Sequence, residues 1–145
     1  MSPINISTIQ DKLFRLKENI NFIEDILKSS DKDILKAPSL YYGLEHLLQL
    51  SIQIILDVGS HILAEEFKEN PPTYQDVITT LDKHNVIDHK FALSQDKMAK
   101  FRNKLIHDYD NISKEKVVEY ARIAPEIFRT FGKSFTFFLE NKTNI

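Results

Sequence analysis

An arginine, a histidine and a tyrosine stand close together at Arg102, His107 and Tyr109, inside a locally basic stretch. Lys97, Lys100, Arg102 and Lys104 are four cations within eight residues, with no acid among them. A guanidinium grips a phosphate through two parallel hydrogen bonds, a geometry that a lysine ammonium does not copy. An imidazole, with an ordinary pKa of about 6.5, gives or takes a proton near neutral pH. Such a set has the chemistry to bind and cut a phosphodiester. RNA carries its own nucleophile, the 2′-hydroxyl beside each phosphate, so a protein need only take that proton, steady the phosphorane charge and help the 5′-oxygen leave. Arg102 suits the phosphate and His107 the proton transfers. One histidine per chain is a thin supply of acid and base together, and two chains paired across a symmetric interface would bring two Arg102–His107 sets to one cleft.

The same residues also have a plainer reading. Cations near a helix C-terminus complement the macrodipole, and a row of lysines is commonly a solvated face. Spacing alone leaves both readings open.

The element that must position these groups is an amphipathic helix over about 91–107. Met98, Phe101, Leu105 and Ile106 fall at the three-and-four spacing of its apolar face. Upstream, Ile6, Ile9, Leu13, Leu16, Ile20, Ile23 and Leu27 make a heptad-like stripe, so a first helix is expected from a cap at Ser7 or Thr8 to about 29–31. A second opens at Pro38, with Ser39 placed to cap it, and runs to about Phe67. Leu50 and Ile54 lie off its main stripe, and a helix apolar on more than one face needs more than one neighbour. It therefore reads as the central helix and as a candidate dimer surface. Asn70-Pro71-Pro72 stops it, and Thr73 with Asp76 has the form of a capping box for a short helix to about His84. A polar break covers 85–90. The last helix starts near Ser113, and Pro125 inside it predicts a kink or a break-and-restart.

With three glycines, five prolines and no period-two alternation, the chain is expected to be all-α, an up-and-down bundle of four to five helices. Its 145 residues fit one domain, with a core over about 5–138. No cysteine is present, which removes disulfides and thiolate metal sites. No apolar run reads as long enough to cross a bilayer and no secretory pattern opens the chain, so a cytoplasmic protein is the expectation. A net charge of −2 argues against a surface built for long stretches of nucleic acid, and leaves room for a local basic patch that grips a few phosphates.

Arg102-Asn103-Lys104-Leu105-Ile106-His107-Asp108-Tyr109 matches an Arg-x4-His-x-Tyr motif and resembles the HEPN superfamily, in its HepT-like toxin branch. The segments 43–68, with Leu47-Leu48-Gln49 and 57–63, and 71–74 follow in that family's order, and the likeness covers about 5–135. The resemblance implies a ribonuclease toxin of a toxin–antitoxin pair, acting on RNA as a homodimer with composite sites that dimerises through its long helices. It makes Arg102 and His107 catalytic, with Lys97, Lys100, Asn103, Lys104 and Tyr109 as substrate contacts. It also implies a minimal nucleotidyltransferase antitoxin that attaches AMP to Tyr109, placing a bulky anion beside Arg102 and His107. The rival reading is a non-catalytic HEPN module that binds nucleotide or partner, with the same residues as phosphate contacts only.

Elsewhere, Asp57, His61 and Glu65 are four apart on one helix face, and the resemblance places Asp57 and His61 near a second protomer's motif in a supporting polar or interface role. No metal-ligand spacing, Gly-rich phosphate loop or nucleophilic triad accompanies them, so neither metal nor cofactor is expected. His46, His84 and His89 have no recognisable spacing and read as surface or core residues.

Overall fold

A computed structural model describes residues 5–107 and 111–143. Every element in them is helical: α1 (Ile6–Ile26), α2 (Asp31–Lys36), α3 (Pro38–Phe67), α4 (Tyr74–Lys83), α5 (His89–Ser94), α6 (Met98–His107) and α7 (Lys114–Thr143). The all-α architecture is as the periodicity predicts. Of the two six-residue helices, α2 adds to the expected set and α5 covers the start of the helix expected over 91–107. Each starts at a capping side chain, Ser30 accepting from the Asp33 amide and Asp88 from the Phe91 amide. A cap satisfies an orphan donor of the first turn, so even a short segment becomes helical where its apolar residues reach the core.

Three helices form the frame. α1 buries Ile9, Leu16, Ile20 and Ile23, its predicted stripe. α7 buries Val117, Ala121, Ala124, Phe128, Phe131 and Phe135, again at three-and-four spacing. Each large side chain taken fully out of water contributes about 1.5–3 kcal/mol, so the phenylalanine row alone holds α7 firmly in place. Between them lies α3, which packs on α1, α2, α4, α6 and α7. It is long and apolar enough, by composition, to cross a membrane, contrary to the sequence reading. Its burial explains that composition, because a helix with neighbours on several sides has little face left for water.

The ends differ from expectation in instructive ways. α1 is capped by Asn5, whose side chain accepts from the Thr8 amide, not by Ser7 or Thr8. It stops at Ile26, Ser29 and Ser30 belong to the turn that follows, and Asp31 opens α2. Ser39 does not cap α3; Pro38 occupies its first turn, where a missing N–H costs nothing. Thr73 does form the predicted box, accepting from the Asp76 amide at 3.2 Å and donating to the Asp76 carboxylate at 2.8 Å. The helix expected over 91–107 is broken at 95–97 into α5 and α6, and the buried Gln95 ends α5. α7 continues through Pro125 without a break; the ring forfeits one intrahelical bond, and burial on both sides of it sustains the helix.

The long helices have defined directions. Lys114 of α7 meets Tyr42 near the start of α3, and Lys142 pairs with Glu66 near its end, so α3 and α7 run parallel. Arg129 pairs with Glu24, and Arg122 donates to the Leu27 and Ser29 carbonyls and to Asp31, so α1 runs antiparallel to α7.

Candidate functional site

α6 is short, and its apolar side fixes its orientation. Met98, Ala99 and Leu105 are buried, and the Phe101 ring lies 4.3 Å from that of Tyr120 on α7. With those positions turned inward, Arg102 is carried to the border between α6, α3 and the start of α4.

There its guanidinium is held from several sides. One terminal nitrogen donates to Oε1 of Gln53 on α3, and the other donates to Oδ1 of Asn103 at 3.0 Å. The guanidinium carbon lies 5.2 Å from the centroid of the Tyr74 ring, a cation–π contact at the start of α4. Gln53 is fixed in turn. Its Nε2 donates to Asp57 Oδ1 at 2.8 Å and to the Tyr74 hydroxyl at 3.1 Å, and that hydroxyl donates to Asp57 at 3.5 Å. Asp57, Gln53 and Tyr74 thus form a partly buried chain of hydrogen bonds that ends on the arginine. The two bonds from Arg102 occupy one N–H on each terminal nitrogen, and such a nitrogen carries two. Its Nε is buried and has no hydrogen-bond partner among the described residues. A lysine here would bring a point charge in place of the planar fork that spans both acceptors beside the ring.

The other sequence-predicted residues do not all join the clamp. Asn103 joins the clamp directly and Asp57 joins it through Gln53. Lys100 and Lys104 are exposed on α6 and Lys97 is exposed in the turn before it, so the three lysines face solvent. His107 is the exposed last residue of α6. Tyr109, with Asp108 and Asp110, lies outside the described residues. His61 stands apart from Asp57: its Nε2 accepts from the Asn5 amide at 3.3 Å and steadies the start of α1. Sequence reading missed Gln53 and Tyr74. Gln53 sits one turn before Asp57 on the same face, so the helical spacing was available, but nothing in the chain order ties either residue to Arg102.

Gln53 also borders a groove of about 500 Å³ between α1 and α3, with Arg15, Lys12, Phe22, Leu50 and Ile54 along it. A second groove of about 580 Å³, between α1 and α7 around Leu16, Phe128 and Gly132, shares no residue with the motif. No group of three or more His, Asp and Glu side chains gathers at metal-binding distance among the described residues.

Comparison with known proteins identifies the family and relatives of the same fold. The sequence model described as ribonuclease HepT-like matches residues 16–132. The chain is 26% identical over 117 residues to the tRNA nuclease HepT of Aphanizomenon flos-aquae, covering 81% of this chain and 78% of that protein. Among solved structures, the cytosolic protein YutE of Bacillus subtilis, of unknown function, superposes with a TM-score of 0.85 at 18% identity, over 98% of this chain and 95% of its own. The tri-AMPylated HEPN toxin of Shewanella oneidensis, in complex with its MNT antitoxin, superposes with a TM-score of 0.80 at 23% identity, over 94% and 98%. These two likenesses concern the fold.

Proposed function

Because the chain belongs to the ribonuclease HepT-like family, we propose that it is an endoribonuclease toxin of a toxin–antitoxin pair, acting in the cytoplasm on RNA. The observation that carries this reading is the clamp on Arg102. A cation pre-set by Gln53, Asn103 and Tyr74 loses little freedom when a phosphate arrives, and pre-set charge is what stabilises a developing phosphorane.

In the proposed reaction the 2′-oxygen of RNA bonds to the adjacent phosphorus, its proton passing to an imidazole. The bond from phosphorus to the 5′-oxygen breaks, and that oxygen takes a proton from a second imidazole. The products are a 2′,3′-cyclic phosphate and a 5′-hydroxyl, and the sequence of steps calls on no metal. His107 supplies one imidazole and the same residue of a second copy supplies the other, in a homodimer with composite sites. The apolar side chains of Phe22 and Leu50, exposed beside Gln53 on the α1–α3 groove, support a self-association face next to Arg102. Lys97, Lys100 and Lys104 contact neighbouring phosphates.

Control of the toxin is proposed to lie with a nucleotidyltransferase antitoxin that adenylylates Tyr109. The AMPylated Shewanella oneidensis toxin with its antitoxin supports this reading. An AMP on Tyr109 would bring negative charge to the two residues that hold and cleave the substrate.

The clamp also suits a second reading, a HEPN module that binds nucleotide or partner without cleaving. Expression in a bacterium without the partner separates the two. Wild type is expected to arrest growth and leave discrete RNA fragments, and His107→Ala and Arg102→Ala are expected to do neither while remaining folded. Normal growth and intact RNA from well-expressed wild type would replace the nuclease with the binding module.

A further inference from the structure

The polar face of α3 continues beyond the Arg102 clamp. His46 lies seven residues and Tyr42 eleven residues before Gln53, and on an α-helix both separations return to within about 20° of the same direction. Tyr42 is therefore on the clamp's face, about 16 Å nearer the start of α3. Arg102 of α6 meets α3 at Gln53, and Lys114 at the start of α7 meets it at Tyr42.

Tyr42 is 53% exposed, yet its ring is set in place. The buried Tyr41 ring meets it edge-on, with centroids 5.3 Å apart and planes at 77°. Lys114 Nζ lies 5.1 Å from the centroid of each ring and donates to the Tyr42 hydroxyl at 3.4 Å. Burial explains Tyr41 as a core residue. It does not explain an oriented, open ring carrying a lysine on the face of a phosphate-gripping arginine. His46, also exposed, stands between the two. An oriented aromatic ring beside cations is the combination on which single-stranded nucleic acid is held, because every base has a face to stack and every nucleotide a charge to neutralise.

We propose that Tyr42, His46 and Lys114 form a subsite for a nucleotide of single-stranded RNA that flanks the phosphate held by Arg102. The base stacks on Tyr42, Lys114 meets the backbone phosphate, and His46 hydrogen-bonds the sugar or base edge. Duplex RNA keeps its base faces stacked inside the helix and does not fit this arrangement. The proposal rests on the preceding reading for the identity of the central phosphate, but binding at the subsite does not depend on cleavage.

The test uses the full chain and a short, fluorescently labelled single-stranded oligonucleotide whose 2′-hydroxyls are replaced by hydrogen, so that it binds and is not cut. Tyr42→Ala is expected to weaken binding roughly 5- to 150-fold, the range typical of losing one stacked base. Tyr42→Trp keeps affinity near wild type, and Lys114→Gln weakens binding and lowers its salt dependence. Wild-type affinity in Tyr42→Ala, equal loss in Tyr42→Ala and Tyr42→Trp, or no binding by the wild type overturns the subsite. Binding through Tyr42 by a chain that cuts no RNA removes the nuclease reading and keeps the subsite. RNA cleavage with unchanged KM in Tyr42→Ala does the reverse.

Discussion

Gln53 and Arg102 are 49 residues apart in the chain, and the arginine donates a terminal N–H to the glutamine's side-chain oxygen. The contact joins the central helix to the motif helix at a point where both are otherwise packed through apolar residues. It makes the position of the arginine a property of α3 as much as of α6.

Replacing Gln53 by leucine keeps the volume and removes the acceptor. Cleavage by Gln53→Leu is expected to fall about 10- to 100-fold, because small displacements of a phosphate-binding group cost that much. The loss should fall on kcat more than on KM, with a thermal midpoint close to wild type. Steady-state kinetics beside a melting curve check this, and an unchanged kcat would show that Arg102 holds its place without Gln53.

The support of Tyr74 can be tested from a distance. Gly59 on α3 lies where α4 approaches closely, and a Cβ there would meet Leu81 Cδ1 at 2.9 Å and Val77 Cγ1 at 3.0 Å. Gly59→Val should overpack that contact and destabilise the fold by about 1–3 kcal/mol. Since α4 carries Tyr74, activity should fall by more than the loss of folded protein explains. Urea unfolding combined with the activity of the remaining folded fraction measures both.

The far end of α3 gives a pH-dependent prediction. Glu69, just beyond α3, pairs with His84 and, at 3.2 Å, with Lys83, while the His84 ring stacks on Phe67 at 4.0 Å. The hydrogen bond from His84, then that from Lys83, holds the Glu69 carboxyl below its ordinary value of 4.5. A carboxyl whose folded-state pKa is depressed stabilises the fold above its unfolded value, and that contribution is lost as pH falls through the folded value. Glu69→Gln should therefore melt earlier than wild type at pH 7, and the gap should close on acidification below about pH 4. A gap that persists unchanged at low pH would mean that the pairing does not act through the carboxylate charge.

Much of this was legible in the chain. The stripe of α1 and the Thr73–Asp76 cap are local patterns, set by neighbours three or four residues away, and they read directly. The break at 95–97 did not, because Met98 and Phe101 continue the apolar spacing across it while Gln95 turns into the core. Asp57 was singled out for its spacing to His61, yet the structure gives it to Gln53 and Tyr74 and gives His61 to the Asn5 amide. Helical spacing says which residues share a face, and only the packing of other helices decides what that face meets. The membrane-length apolar content of α3 follows the same rule, since composition does not distinguish a lipid neighbour from a protein one.

The parallel course of α3 and α7 has an electrical consequence. Two 30-residue helices begin at one end of the bundle, and each contributes about half a positive charge there from its unpaired backbone amides. The antiparallel α1 ends nearby, where its negative pole would oppose them, but Arg122 donates to the Leu27 and Ser29 carbonyls and offsets it. The end of the molecule that holds Tyr42 and Lys114 thus carries a positive backbone potential set by helix orientation, beside side chains of both signs, Lys114 with Glu45 and Glu115. The part of the proposed subsite's attraction for phosphate that comes from the backbone is written into the direction of the helices, and no side-chain substitution that preserves the fold removes it.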